Sequence, residues 1–200
     1  MSTILTLPKP SFDGSMSLEQ AITARRSCRD FQLQSLTMEQ IGQLAWAAQG
    51  QDTKSEYRTV PSAGAIYPLE LFIVNEQGVF GYLPSEHALE KLVDRDVRSA
   101  LASAALGQEF IGAAPLTMVF AAEFAKSVRR YSKRGIRYVF MEAGHAAQNV
   151  HLQAEALGLG SVAVGAFDDV NVRKVLSLPD RLEPVYMVII GCRLKIPRKT

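Results

Sequence analysis

Apolar residues recur along this chain with two periods, and the changes of period mark out its elements. Ile41, Leu44, Ala45 and Ala48 share one stripe of a helix that opens at the capping box Thr37-Met38-Glu39-Gln40 and stops at Gly50. Trp46 falls off that stripe and is expected in the core or at an interface. An earlier box, Ser17-Leu18-Glu19-Gln20, opens a helix that runs to about Arg26. Residues 1–16, broken by Pro8, Pro10 and Gly14, read as an irregular arm ahead of a single domain over 17–200. Runs of strand length at 69–75 and 79–83 flank Glu76-Gln77-Gly78, the pattern of a β-hairpin. Helical signals follow over 86–93 and 94–106, and Ala113-Ala114-Pro115 stops a short helix. Leu116 to Ala122 is an unbroken apolar run of strand length. A basic stretch leads into a long helix over 136–159 that is apolar around much of its girth, as a helix buried on several sides is, and that Gly158 and Gly160 stop. The β-branched runs 161–164 and 185–190 are strands, with Asp168 or Asp169 capping a helix between them. Helices and strands mixed without strict alternation predict an α+β fold, a mostly antiparallel or mixed central sheet flanked by helices.

Composition narrows the classes of function. At 200 residues, 48% hydrophobic and 21% charged, the chain is of the ordinary soluble globular type, not a disordered tail, a collagen or a coiled coil. Its 22 Lys and Arg against 20 Asp and Glu leave +2, too little for nucleic-acid binding through bulk charge. Cys28 and Cys192 form no CxxC pair and no metal spacing, so reduced thiols and a cytoplasmic setting are expected. The first twenty residues lack the basic and apolar regions of a secretory signal. No window reaches the roughly 18 consecutive apolar residues of a membrane span.

Candidate chemistry is therefore local. Arg25-Arg26-Ser27-Cys28-Arg29 sets three guanidiniums and a hydroxyl within five residues, a donor set suited to phosphate and equally the composition of a solvated helix end. Arg193, Lys195, Arg198 and Lys199 form a second basic group. The third, Lys126 to Arg137, reads as a solvated face or a substrate rim, with no RNA-binding motif beside it. His87, His145 and His151 fit no zinc spacing, and no metal is expected. Gly158-Leu159-Gly160 follows a helix where a dinucleotide loop must follow a strand. The small residues of Pro61-Ser62-Ala63-Gly64-Ala65 and Val164-Gly165-Ala166 leave room for a planar ligand against the backbone, although each also suits an ordinary tight turn.

Taken together, the segments RRSxRxF (25–31), RTVPSAGAIYPLELFIV (58–74), GYLPSEHALEKL (81–92), RYVFMEAGHAAQNVHLQAEALGLGS (137–161), VGAFDD (164–169) and EPVYMVIIG (183–191) resemble the nitroreductase family of flavoproteins, and within it the SagB/ThcOx-type dehydrogenases. That resemblance implies a nitroreductase-like fold and an intertwined homodimer with FMN at the subunit interface. It implies that Arg25, Arg26, Ser27 and Arg29 hold the phosphate, ribityl and pyrimidine edge, with Arg29 beside N1 and O2. Pro61, Ser62, Ala63 and Gly64 would come from the partner subunit, and Val164, Gly165 and Ala166 would lie against the other ring face. Arg198 and Lys199 would be C-terminal phosphate cations, with Arg193 a further candidate.

The activity so implied is ping-pong hydride transfer, with NAD(P)H as electron donor and a nitroaromatic, quinone or related small molecule as acceptor. Azoline oxidation to azole, with electrons passing through FMN to oxygen, is the alternative. In azoline-oxidising members a Lys-Tyr pair supplies the base, whereas here the corresponding residues read Arg130-Tyr131. Guanidinium stays protonated, which leaves Tyr131 or Lys133 as substitutes. Flavin binding without turnover is the remaining alternative.

Overall fold

The computed structural model describes residues 3–52 and 54–194. In chain order they form β1 (Ile4–Thr6), α1 (Leu18–Ala24), α2 (Met38–Gln49), β2 (Leu69–Asn75), β3 (Gly78–Leu83), β4 (Ala88–Val93), α3 (Arg98–Ala104), α4 (Glu109–Ala113), β5 (Leu116–Ala122), α5 (Phe124–Tyr131), α6 (Arg134–Ala156), β6 (Leu159–Val164), α7 (Asp169–Leu176) and β7 (Glu183–Cys192). Both capping boxes are complete: the Ser17 and Thr37 hydroxyls accept from Gln20 and Gln40 N–H, and each glutamine side chain accepts in return from the cap N–H.

The described strands form one sheet in the order β1-β4-β3-β2-β5-β7-β6, and every neighbouring pair is antiparallel. Successive side chains of a strand face opposite ways. Leu116, Met118 and Phe120 of β5 therefore join Leu44 of α2 and Val139, Ala146 and Val150 of α6 in one core. Val119 and Ala121 join Leu101, Ile111 and Leu176 of α3, α4 and α7 in a second core on the other face. All of β5 is buried, which explains its unbroken apolar run.

Four elements differ from the sequence pattern. Residues 86–93, read as helical, contain β4, because pairing with β3 on one side and β1 on the other outweighs the helix-like spacing of Ala88, Leu89 and Leu92. Ile4–Thr6 of the irregular arm is the strand β1 that completes this edge. The helix read over 94–106 is confined to α3. Gly160, read as part of a helix stop, lies inside β6, and Gly158 alone takes the left-handed conformation after α6. The basic stretch contains α5, which folds back along α6. Gly135 permits this approach, since a Cβ there would stand 2.6 Å from Ser127 C and O.

Among the described residues no helix is long and apolar enough to cross a membrane. Gly135→Ala should cost about 1–3 kcal/mol, because the contacted atoms are backbone and cannot rotate away. Gly14→Ala, where a Cβ meets nothing within 4 Å, should be nearly neutral. Chemical denaturation of both variants compares them, and equal midpoints would contradict the close α5–α6 contact.

Candidate functional site

Beyond α1 the chain leaves the helix at Arg25 and runs across the start of the edge strand β6. Cys28 N–H donates to Ser161 O at 3.0 Å, Gln32 N–H to Cys192 O at 2.8 Å, and Leu194 N–H to Asp30 O at 3.0 Å. The approach is close because Gly160 has no side chain: a Cβ there would stand 2.8 Å from both Cys28 Sγ and Arg193 Cγ. Arg26, Ser27, Arg29 and Asp30 thereby surround a hollow of about 450 Å³ together with Cys28, Arg193 and Leu194. Arg193 is held by a pair with the buried Glu155. Among the described residues Arg25, Arg26 and Arg29 make no ion pair. Arg26 and Arg29, free of ion pairs among the described residues, form with Ser27 a donor set for an anion in this hollow, with the Asp30 carboxylate beside them. Arg25 does not line this hollow, and its charge acts instead on His151, whose Nδ1 lies 2.7 Å from Ser161 Oγ.

At the other end of β6, Val164 is buried, and Gly165 and Ala166 are exposed. Gly165 borders a second hollow of about 350 Å³ with Phe140, Ala143, Gly144, Val185 and Tyr186. The turn is fixed by Gln108, which donates to Ala166 O at 2.9 Å, and by Asp168, which caps α7. Residues 160 and 165 lie about 17 Å apart along a strand, so the arginine segment and the Gly165 turn stand at opposite ends of β6.

The third segment, 61–67, bends through positive φ at Gly64, Ala65 and Tyr67. Ser62 ties it by accepting from Tyr67 N–H at 2.9 Å and, through its carbonyl, from Ala65 N–H at 3.0 Å. Arg58 supports it from beneath: its backbone N–H donates to the Tyr67 hydroxyl, its guanidinium lies 4.9 Å from the Tyr67 ring centre, and it donates to Gln49 Oε1 at 2.7 Å. Arg130 of α5 donates to Gly64 O at 3.4 Å, and Tyr131 packs edge-on against Tyr138 beside the same glycine. Neither hollow on β6 is lined by Pro61, Ser62, Ala63 or Gly64 of the same chain. Lys133 is exposed at the start of α6, and Arg198 and Lys199 lie outside the described residues.

Sequence pattern alone misses a set of buried polar residues behind these segments. Glu142 is only 2% exposed, and its Oε1 has no hydrogen-bond partner. Burial pushes its carboxyl up to about 7, against the Ser62 hydroxyl and the Arg58 charge, which pull it down. Burial, aided by the Arg25 charge, pushes His151 down to about 4. The available signal is helical spacing: Tyr138, Glu142 and Asn149 share a face of α6 with Ala146, and Asn149 bonds Ala47 O and Thr59 O on the opposing segments.

The two shifts predict opposing effects of pH. Glu142 favours the fold in its protonated form, a stability present below about pH 4.5 and lost as pH rises through about 7. His151 favours it when neutral, a stability present above about pH 6.5 and lost as pH falls toward 4. Relative to wild type, Glu142→Gln should gain about 2 kcal/mol between pH 4.5 and 6.5, and His151→Gln should lose a similar amount. Denaturation curves across that range measure both, and three parallel stability profiles would contradict this account.

Known proteins share the sequence and the fold of this chain. The model of the nitroreductase family matches residues 22–192. MJ1384 of Methanocaldococcus jannaschii, which carries a nitroreductase name, is 39% identical over 90% of this chain and 93% of its own length. The microcin B17-processing protein McbC of Escherichia coli is 30% identical over 88% of this chain and 69% of its own. A crystal structure from Ralstonia eutropha JMP134, also under a nitroreductase name, superposes with a TM-score of 0.87 at 30% identity, over 96% of this chain and 90% of that one. The Escherichia coli microcin synthetase McbBCD complex with truncated pro-MccB17 bound gives 0.74 at 27% identity, over 93% and 77%. By the family match and these relatives, this chain belongs to the nitroreductase family and has SagB-type relatives within it.

Proposed function

We propose that this oxidoreductase binds FMN along β6 and transfers hydride between NAD(P)H and a nitroaromatic, quinone or related small-molecule acceptor. The observation that carries the reading is the unpaired arginine set of 26–29 at one end of an edge strand with the Gly165 turn at the other. Bound there, the flavin supplies the hydride-accepting N5 and the redox chemistry. Arg26, Ser27 and Arg29 hold its anionic and pyrimidine edges, and Arg25 stands behind them beside His151. Gly165 would offer its backbone N–H toward N5, and Val164 and Ala166 would lie against one face of the ring. Arg198 and Lys199 add cations to the phosphate.

The same reading takes the chain to be a homodimer that brings Pro61–Gly64 of a second copy to the site. Exposed apolar residues support it: Phe140 and Met141 of α6, each 53% exposed, and Leu18 and Ile22 of α1 are all open to solvent. Their burial against a second copy would remove a large apolar surface from water. Between 129 and 137 the α5–α6 corner carries five cations and no acidic residue, which suits an anionic donor such as NAD(P)H. A cytoplasmic setting fits the two free cysteines.

Azoline dehydrogenation is a second reading, supported by the likeness to McbC and by Arg130-Tyr131 over Gly64. Its weakness is the guanidinium in place of a base, with Tyr131 and Lys133 as the proton acceptors that remain. Flavin binding without turnover is the third reading, against which the exposed Gly165 face leaves a ring accessible to substrate.

Titration of the flavin-free protein with FMN, followed by flavin fluorescence, should show saturable binding. Arg29→Ala should weaken it by about 2 kcal/mol, roughly thirtyfold, as loss of a charged hydrogen bond does. Absence of binding would overturn the proposal, and unchanged affinity would remove Arg29 from the site. Light scattering of the loaded protein should give twice the chain mass, and a fully loaded monomer would contradict the shared site.

A further inference from the structure

Glu142 sits behind the 61–67 segment and has no part in the function proposed above. It is almost fully buried with one oxygen unpartnered, and the amide nitrogen of Gln49, 1% exposed and also bonded to Arg58, has no partner either. Two orphaned polar atoms around one guanidinium leave this cluster under-satisfied. It supports a segment that already holds Ala65 and Tyr67, both non-glycine, at positive φ, a conformation that costs energy and persists only where its surroundings enforce it.

We infer that Glu142 is a positioning residue for the Pro61–Tyr67 segment: with its proton in place the segment stays bent over it, and loss of that proton releases the segment to water. A carboxylate closed into this site lacks hydration, and only opening restores it. Its neighbours do not neutralise it: Ser62 offers one hydroxyl, and among the described residues Arg58 forms no ion pair with it. Arg58, from the stretch leading into the segment, is the charge that faces Glu142. Tyr67 within the segment, Tyr82 of β3 and Glu70 of β2 act on Arg58 in turn, and α2 contributes only the neutral Gln49. Burial raises the carboxyl to about 7, so the closed form keeps a proton that an open, hydrated form gives up.

The latch belongs to the flavin-free chain, and only its bearing on FMN rests on the proposed function. If the segment reaches the flavin of a partner subunit, FMN binding is tighter at acid pH than at alkaline pH.

Hydrogen exchange of the flavin-free protein reads the latch through the Tyr67 and Ala65 amides, which bond to Ser62. Corrected for intrinsic exchange, their protection should fall about fiftyfold between pH 5 and 8, while the amides of β5 keep theirs. In Glu142→Gln, or Glu142→Leu should the glutamine variant not fold, the protection should stay at its acid value, and Glu142→Asp should restore the pH dependence. A wild-type profile without that fall, the same fall in the neutral variants, or an equal fall in β5 would overturn the inference. FMN titrations at the same pH values form the second arm. Failure of any of these proteins to bind FMN would count against the proposed function, and the exchange data would still decide the latch.

Discussion

Helices cover both faces of the seven-stranded sheet, and the strand edges are what remains for a ligand. One edge is β1 and the other β6. Of the two, β6 is the one crossed by a chain segment that carries unpaired arginines. The constraint behind this is steric: with a side chain at position 160, the Cys28 backbone could not reach Ser161, and the arginines of 26–29 would not be held over the strand. Two cores and one close approach thus decide where charge collects.

Charge then works differently at the two surfaces of the site. Along β6 the guanidiniums are solvent-facing and unpaired, so they keep binding capacity for an anion. Behind it Arg193 is committed to Glu155, and behind the 61–67 segment Arg58 is committed to Gln49 and Leu69 O. Both cations are only partly buried, and both are tied into the fold by these bonds. The same contrast separates Arg29, over the Phe110 ring, from Arg25, whose field is felt by His151.

Much of this was legible in the sequence because local physics dominates there. Capping boxes at Ser17 and Thr37, the Glu76-Gln77-Gly78 turn and the apolar run of β5 each state their structure within a few residues. β4 was not legible, since Ala88-Leu89-Glu90-Lys91-Leu92 suits a helix until two neighbouring strands claim its backbone. The arginine segment and the small-residue turns were legible as chemistry, and the structure sets the first at one end of β6 and the Gly165 turn at the other. Glu142, with its hydrogen bond to Ser62 and its place in the field of Arg58, was not, because one acid among the apolar residues of α6 reveals its burial only when the opposing segment is in place.

The central claim is that this family member passes hydride through a flavin. Its most direct test is the anaerobic visible spectrum of the FMN-loaded protein before and after addition of NADPH or NADH. The account predicts that the oxidised flavin band bleaches with at least one nucleotide and returns when a quinone or nitroaromatic is added. A spectrum unmoved by either nucleotide would contradict it.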